Sequence, residues 1–214
     1  MTIKQEEIVI SFLESKDEPF TIKEITRYVR AKDTEKTAGL PSQIAAFLDN
    51  RILAFRKETN IWISRRGVFQ GKHFSIRPTR LELLNGILIP GHRCIPFANP
   101  NVAFKDYKFI WKGKIVPMGA SEGEPEEFYP YFALLGEEYA PQYLVRDNPE
   151  NEMLYEADPY EDPSEVSLTT LDMRNVYRES GFSPGDRFVV TVVDWAACEF
   201  ELERIPQNAW NQEA

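Results

Sequence analysis

Along the first seventy residues, apolar positions recur at helical spacing in three separate runs. Ile8, Val9, Phe12 and Leu13 share one face of a helix over 4–15, which Asp17, Glu18 and Pro19 break. Thr21-Ile22-Lys23-Glu24 is a capping box, in which a hydroxyl and a carboxylate satisfy the orphan amides of a helix start. Ile22, Ile25 and Val29 follow on one face, and the polar stretch from Lys32 to Gly39 makes a turn. Pro41 suits the first position of a third helix, where a missing N–H costs nothing, and Ile44, Phe47, Leu48 and Ile52 form its apolar stripe. Two short strands, 53–55 and 61–63, flank the polar turn Lys57-Glu58-Thr59-Asn60.

The rest of the chain reads as strands with short helices between them. Residues 72–77 alternate, Thr79 and Glu82 form a second capping box, and Gly86 closes that helix. Strand-like runs at 87–89 and 95–97 enclose the turn Pro90-Gly91-His92-Arg93-Cys94. Lys112-Gly113 joins Tyr107–Trp111 to Lys114–Pro117 as a hairpin. Phe128, Phe132 and Leu135 suit one face of a short helix entered at Pro130; Pro141 starts another, and 147–165 reads as a loop. Thr169 to Asp172 starts a helix that carries Met173, Val176 and Tyr177 and ends at Gly181. Ser183-Pro184-Gly185-Asp186 turns the chain into a strand over 187–193, which returns over 198–203 with glutamates alternating outward. The expected fold is α+β, with one domain over 1–70. A second, over 71–214, is expected to be a strand-rich small barrel or curled sheet with short helices.

Composition bounds the function. At 214 residues, 43% hydrophobic and 28% charged, the chain can bury a core. It has no apolar run of the ~20 residues that span a bilayer, and Met1–Lys4 opens into a charged segment without the pattern of a signal peptide. Two cysteines are too few for a disulfide framework, so the expected home is the reducing cytoplasm, with no membrane contact. The net charge of −9 is divided unevenly. Residues 1–118 hold 20 Lys and Arg against 12 Asp and Glu, and the remainder hold 5 against 22. A basic half hints at nucleic acid, and the alternative is that the halves neutralise each other within one monomer.

The order helix, helix, helix, two-stranded wing in residues 5–70 resembles the HARE-HTH class of winged helix. The features that carry the resemblance are the helix start Pro19-Phe20-Thr21-Ile22-Lys23-Glu24-Ile25 and the strand Ile61-Trp62-Ile63 before Gly67-Val68-Phe69. The resemblance implies a winged helix that contacts double-stranded DNA or docks on a protein. For DNA, the third helix enters the major groove and the wing grips phosphates. Its outward residues are Ser42, Gln43, Ala46, Asp49, Asn50 and Arg51. Gln43 and Asn50 suit adenine edges and Arg51 suits guanine or phosphate, whereas the Asp49 carboxylate repels phosphate. Arg56, Lys57, Arg65 and Arg66 are the wing cations expected to neutralise phosphates. The Pro-Gly-Asp turn at 184–186 leading into a long apolar strand is similar to small DNA-binding barrels of the AbrB and plant B3 classes.

Two further clusters offer chemistry. His92 and Cys94 are the one close pair of reactive side chains; on a strand they share a face, which suits a thiolate–imidazole pair or two metal ligands. Catalysis also needs an orienting group and an oxyanion site, and a metal needs further ligands, for which only Cys198 and His73 remain. The expectation is therefore no enzyme, no metal and no cofactor, with Cys94 a small buried thiol. Residues 122–162 hold thirteen acids, one cation (Arg146) and eight aromatics. Such a belt can dock on a basic protein surface through Phe128, Tyr129, Tyr131, Tyr139 and Tyr143, with carboxylates as steering charge. The first expectation is a cytoplasmic DNA-binding or transcription-associated protein that acts by binding. The alternative is a protein-interaction adaptor built on this belt.

Overall fold

Thr2 and Thr21 start the first two helices by the same device. Each hydroxyl accepts the amide of the third helical residue, while the Gln5 or Glu24 side chain reaches back to the cap. In the computed structural model, which describes residues 1–51, 53–135, 140–148, 150–157 and 163–210, the chain is an α+β protein. It divides into two compact units, Met1–Lys72 and His73–Ala214, so the break falls after 72 rather than after 70.

The first unit runs α1 (Ile3–Ser15), β1 (Phe20–Thr21), α2 (Ile22–Lys32), α3 (Leu40–Arg51), β2 (Ala54–Glu58), β3 (Ile61–Ser64) and α4 (Arg65–Phe69). The strand pair is longer and its turn tighter than expected, with Thr59-Asn60 between the strands and a bulge at Lys57. Phe20 and Thr21 add a third strand on the far side of β3, giving the antiparallel order β1-β3-β2. One core joins the three helices to Trp62. It contains Val9, Phe12, Ile25, Val29, Ile44 and Leu48, with Phe12 edge-on to both Phe20 and Tyr28 at ring distances of 5.2 and 5.1 Å. Burying that apolar stripe is what holds helices of eleven to thirteen residues, which are marginal alone.

The second unit begins with β4 (His73–Ile76), α5 (Arg80–Asn85), β5 (Ile87–Leu88) and α6 (Gly91–Cys94), then β6 (Lys108–Trp111), β7 (Lys114–Ile115) and β8 (Met118–Gly123). It continues through α7 (Pro125–Phe128), α8 (Ala140–Asp147), α9 (Glu150–Ala157), β9 (Val166–Asp172), α10 (Arg174–Ser180), β10 (Arg187–Asp194), β11 (Glu199–Ile205) and α11 (Gln207–Trp210). Among the described residues the strands of this unit form the sheets β4-β10-β11-β6-β7 and β5-β9-β8, and of their pairings only β11–β6 is parallel. Among the described residues neither sheet closes on itself, so of the small barrel or curled sheet expected, no closed barrel is found.

Four local expectations change. Residues 166–172 are a strand instead of a helix start, because Val166, Leu168 and Thr170 alternate into the interior, and α10 begins only after Asp172 bonds the Arg174 amide. Residues 95–97 are a 3₁₀ turn, not a strand. Phe128 and Phe132 lie on α7 and a following 3₁₀ segment, Tyr129–Leu135, instead of one helix entered at Pro130. Within the expected 147–165 loop lies α9, pinned by the fully buried Asn151. Its amide donates to the carbonyls of Leu144 and Ser167 at 2.9 and 2.8 Å and accepts from Ser167 N at 2.9 Å. No helix among the described residues is long and apolar enough to cross a membrane.

Candidate nucleic-acid interface

α3 buries Leu40, Ile44, Phe47 and Leu48 and turns Pro41, Ser42, Ala46, Asp49 and Asn50 to solvent. Asn50 is therefore available to a ligand, as the helical spacing predicts. Gln43 is held otherwise: its Nε2 donates to the Ala38 carbonyl at 3.0 Å, and its Oε1 accepts from the Met1 amino group. Engaged at both ends, the side chain joins Met1 and Ala38 at the start of α3. Arg51 closes α3, and its side chain lies outside the described residues. Asp49, the carboxylate that opposes phosphate, meets Arg56 across the α3–β2 corner at 3.3 Å. The same guanidinium lies 4.8 Å from the centre of the Trp62 ring. Both charged groups are 52% exposed, so the pair is worth little as stability, and its effect is to cancel charge on the α3 face. Lys57 projects from β2 into solvent.

Arg65 and Arg66 are not on the hairpin. Ser64 ends β3 and caps α4, its hydroxyl accepting Gly67 N at 2.9 Å and donating to the Lys16 carbonyl, so both arginines enter a helical turn. Arg66 pairs with Asp17, and the Arg65 guanidinium sits 5.6 Å from the Phe69 ring centre. A Cβ at position 67 would stand 2.5 Å from the Asp17 carbonyl oxygen, which is why glycine occupies this close approach. Arg66 ties the end of the unit to the α1–β1 connection, while Arg65 packs within α4.

The sequence reading passed over a second set of cations. Lys23, Arg27 and Arg30 are all exposed on α2, and with Thr26 and Pro41 they line a concavity of about 410 Å³. Their spacing, i, i+4 and i+7, is legible in Lys-Glu-Ile-Thr-Arg-Tyr-Val-Arg, where it overlaps the capping box and the apolar stripe. The nearest acid on α2, Glu24, is committed to the cap. Hydrogen bonds from the Thr21 hydroxyl and amide hold its carboxyl below the usual range, with smaller help from Lys16 and Arg27.

In the second unit the expected docking aromatics turn inward. Phe128 is a core residue, and Tyr129, Tyr131 and Tyr143 are half-buried around Phe132 and Leu144. Tyr143 stacks on Phe132 at a ring distance of 5.8 Å, the Tyr131 hydroxyl accepts from Asn85 at 2.7 Å, and Tyr139 lies outside the described residues. The His92 ring sits edge-on to Tyr143 at 4.8 Å and to Phe132 at 5.6 Å. His92 and Cys94 lie on a helical turn, α6, where residues two apart point to nearly opposite sides, so they do not share a face as they would on a strand. Cys94 and Cys198 are fully buried, and burial pushes the Cys198 thiol above its ordinary value, opposite to an activated nucleophile. No group of three or more His, Cys, Asp or Glu side chains among the described residues is arranged to hold a metal ion. Compared with known proteins, the chain matches no family model, no curated protein and no solved structure at a significant level.

Proposed function

We propose that this chain is a DNA-binding, transcription-associated protein whose N-terminal unit is a winged helix and which acts by binding. The observation that carries the reading is the outer face of α3. It presents Ser42 and Asn50 to solvent while Arg56, on the adjoining strand, neutralises the one carboxylate there. The order α1-β1-α2-α3-β2-β3 supports the winged-helix reading, with α3 as the element that meets the groove and Lys57 beside it for phosphate. The role is that of a cytoplasmic regulator without a cofactor. The test is a titration of the full chain against a mixed-sequence duplex and against a panel of single-base variants of its best site. Asn50→Ala is expected to cut discrimination at one position by about 1–3 kcal/mol, whereas Lys57→Gln should weaken all duplexes alike. No measurable duplex binding at ~50 mM salt, where phosphate contacts are strongest, would remove the reading.

A second reading has one observation in its favour. α9 exposes Met153 and Leu154, 69% and 42% accessible, with Glu152 and Glu156 also exposed on the same helix. Apolar anchors ringed by carboxylates suit a basic protein partner, so an adaptor role centres on α9 in place of the tyrosines first expected.

A further inference from the structure

We infer that Lys23, Arg27 and Arg30 form a row on α2 that tracks the sugar-phosphate backbone of duplex DNA. The inference rests on the DNA-binding reading and assigns its phosphate anchor to α2, away from the α4 arginines.

Three observations converge. The row has the geometry of a backbone contact. Positions i, i+4 and i+7 lie on one helix face and span about 10 Å, the length over which one strand presents about three phosphates. The row is also uncommitted, in contrast to three other cations of the unit. Lys4 pairs with Asp33, Arg56 with Asp49 and Arg66 with Asp17. Neither Lys23 nor Arg30 has an ion pair among the described residues, and Arg27 acts on Glu24 only at a distance. Finally, no carboxylate lines the concavity, whose remaining walls are Thr26 and Pro41.

The helix that carries the row is firmly placed. Thr21 and Glu24 cap it, Ile25 and Val29 are fully buried, and the Thr26 hydroxyl donates to the Ile22 carbonyl at 2.6 Å. Like charges one turn apart repel, which offsets the favourable place of Arg30 in the last turn of the helix. An anion of repeating charge relieves that repulsion and fills the concavity. Because α2 precedes α3, a duplex held along α2 meets Pro41 and Ser42 at the start of α3, the end from which a recognition helix reads base edges.

The experiment compares the full chain with the triple variant Lys23→Gln, Arg27→Gln, Arg30→Gln, since glutamine keeps helix propensity. A control removes three cations from the second unit by Lys105→Gln, Lys114→Gln and Arg178→Gln. Each protein is titrated against a 20-base-pair mixed-sequence duplex from ~50 to ~200 mM salt and against phosphatidylserine vesicles, with circular dichroism melts confirming the fold. The expected result is at least tenfold weaker duplex binding by the triple variant. Its log–log salt slope should be flatter by about 2–3, with the control unchanged. Wild-type duplex binding that the triple variant retains, in affinity and slope, overturns the row and leaves the DNA reading standing. Absence of duplex binding by the wild type overturns both, and tighter binding to the vesicles through the same three residues overturns the nucleic-acid assignment.

Discussion

Charge is handled differently at the buried carboxylates of the second unit and at the α2 cations of the first. In the second, Glu82 and Asp186 are carboxylates taken out of solvent and saturated. Glu82 is fully buried on α5 and receives Arg93 at 2.9 and 3.2 Å, the Ile89 amide at 2.9 Å and the Thr79 amide at 2.6 Å. Asp186 receives the amides of Ser183 and Gln207 and the Arg204 guanidinium, at 2.8, 2.9 and 2.8 Å. In the first unit, the α2 cations stand exposed, and no carboxylate lines the concavity they share. A buried ion is tolerated only when its partners are all present, so its function is spent on architecture. An exposed row of one sign with no partner contributes nothing to the fold and remains free for a ligand.

The largest effect expected from this contrast is on stability. Glu82→Ala strands the Arg93 guanidinium and two amides, and should lower the unfolding free energy by about 3–5 kcal/mol in urea titrations. Duplex affinity measured well below the melting temperature should not change. If Glu82→Ala costs less than 1 kcal/mol, the carboxylate is not a clamp and the contrast fails.

An intermediate effect is pH-dependent. Burial alone would raise the Asp186 carboxyl, but two backbone amides and Arg204 overcome it and hold the group below the ordinary carboxylate range. A depressed folded value means the charged form is the stabilising one. Its contribution is complete above the unfolded value of about 3.9 and is lost as pH falls through the folded value. Wild type should therefore exceed Asp186→Asn in stability at pH 7, and the gap should close below about pH 4. A gap that stays constant down to pH 2.5 would show that charge is not what Asp186 contributes.

The smallest effects belong to exposed ions. Arg66→Ala breaks a pair in which Asp17 is half-exposed, and should cost less than about 1 kcal/mol. The α2 triple variant should melt within about 0.5 kcal/mol of wild type, or slightly above it because repulsion is relieved. A large stability loss there would move the row from the ligand side of the contrast to the architectural side.

Sequence alone determined the local structure wherever the determinants are neighbours in the chain. The capping boxes at Thr21 and Thr79 start helices, Gly86 and Gly181 end them in left-handed conformations, and Lys112-Gly113 turns the β6–β7 hairpin with both φ angles positive. Glu201 and Glu203 face out between buried Phe200 and Leu202, as alternation requires. Tertiary structure decided what depends on distant partners. Asn151 looks like a loop residue in the sequence and becomes the buried pin of α9, because its acceptors come from Leu144 and Ser167. Thr169 to Asp172 reads as a helix start until β5 and β8 supply strand partners on both sides. Cationic character at Arg65, Arg66 and Lys23 is identical in the sequence, and only the fold separates them. Asp17 comes beside Arg66 from 49 positions away, Phe69 lies under Arg65, and no carboxylate lines the concavity beside Lys23. Whether a charge is spent or free is a property of its neighbours in space, and a linear pattern records only neighbours along the chain.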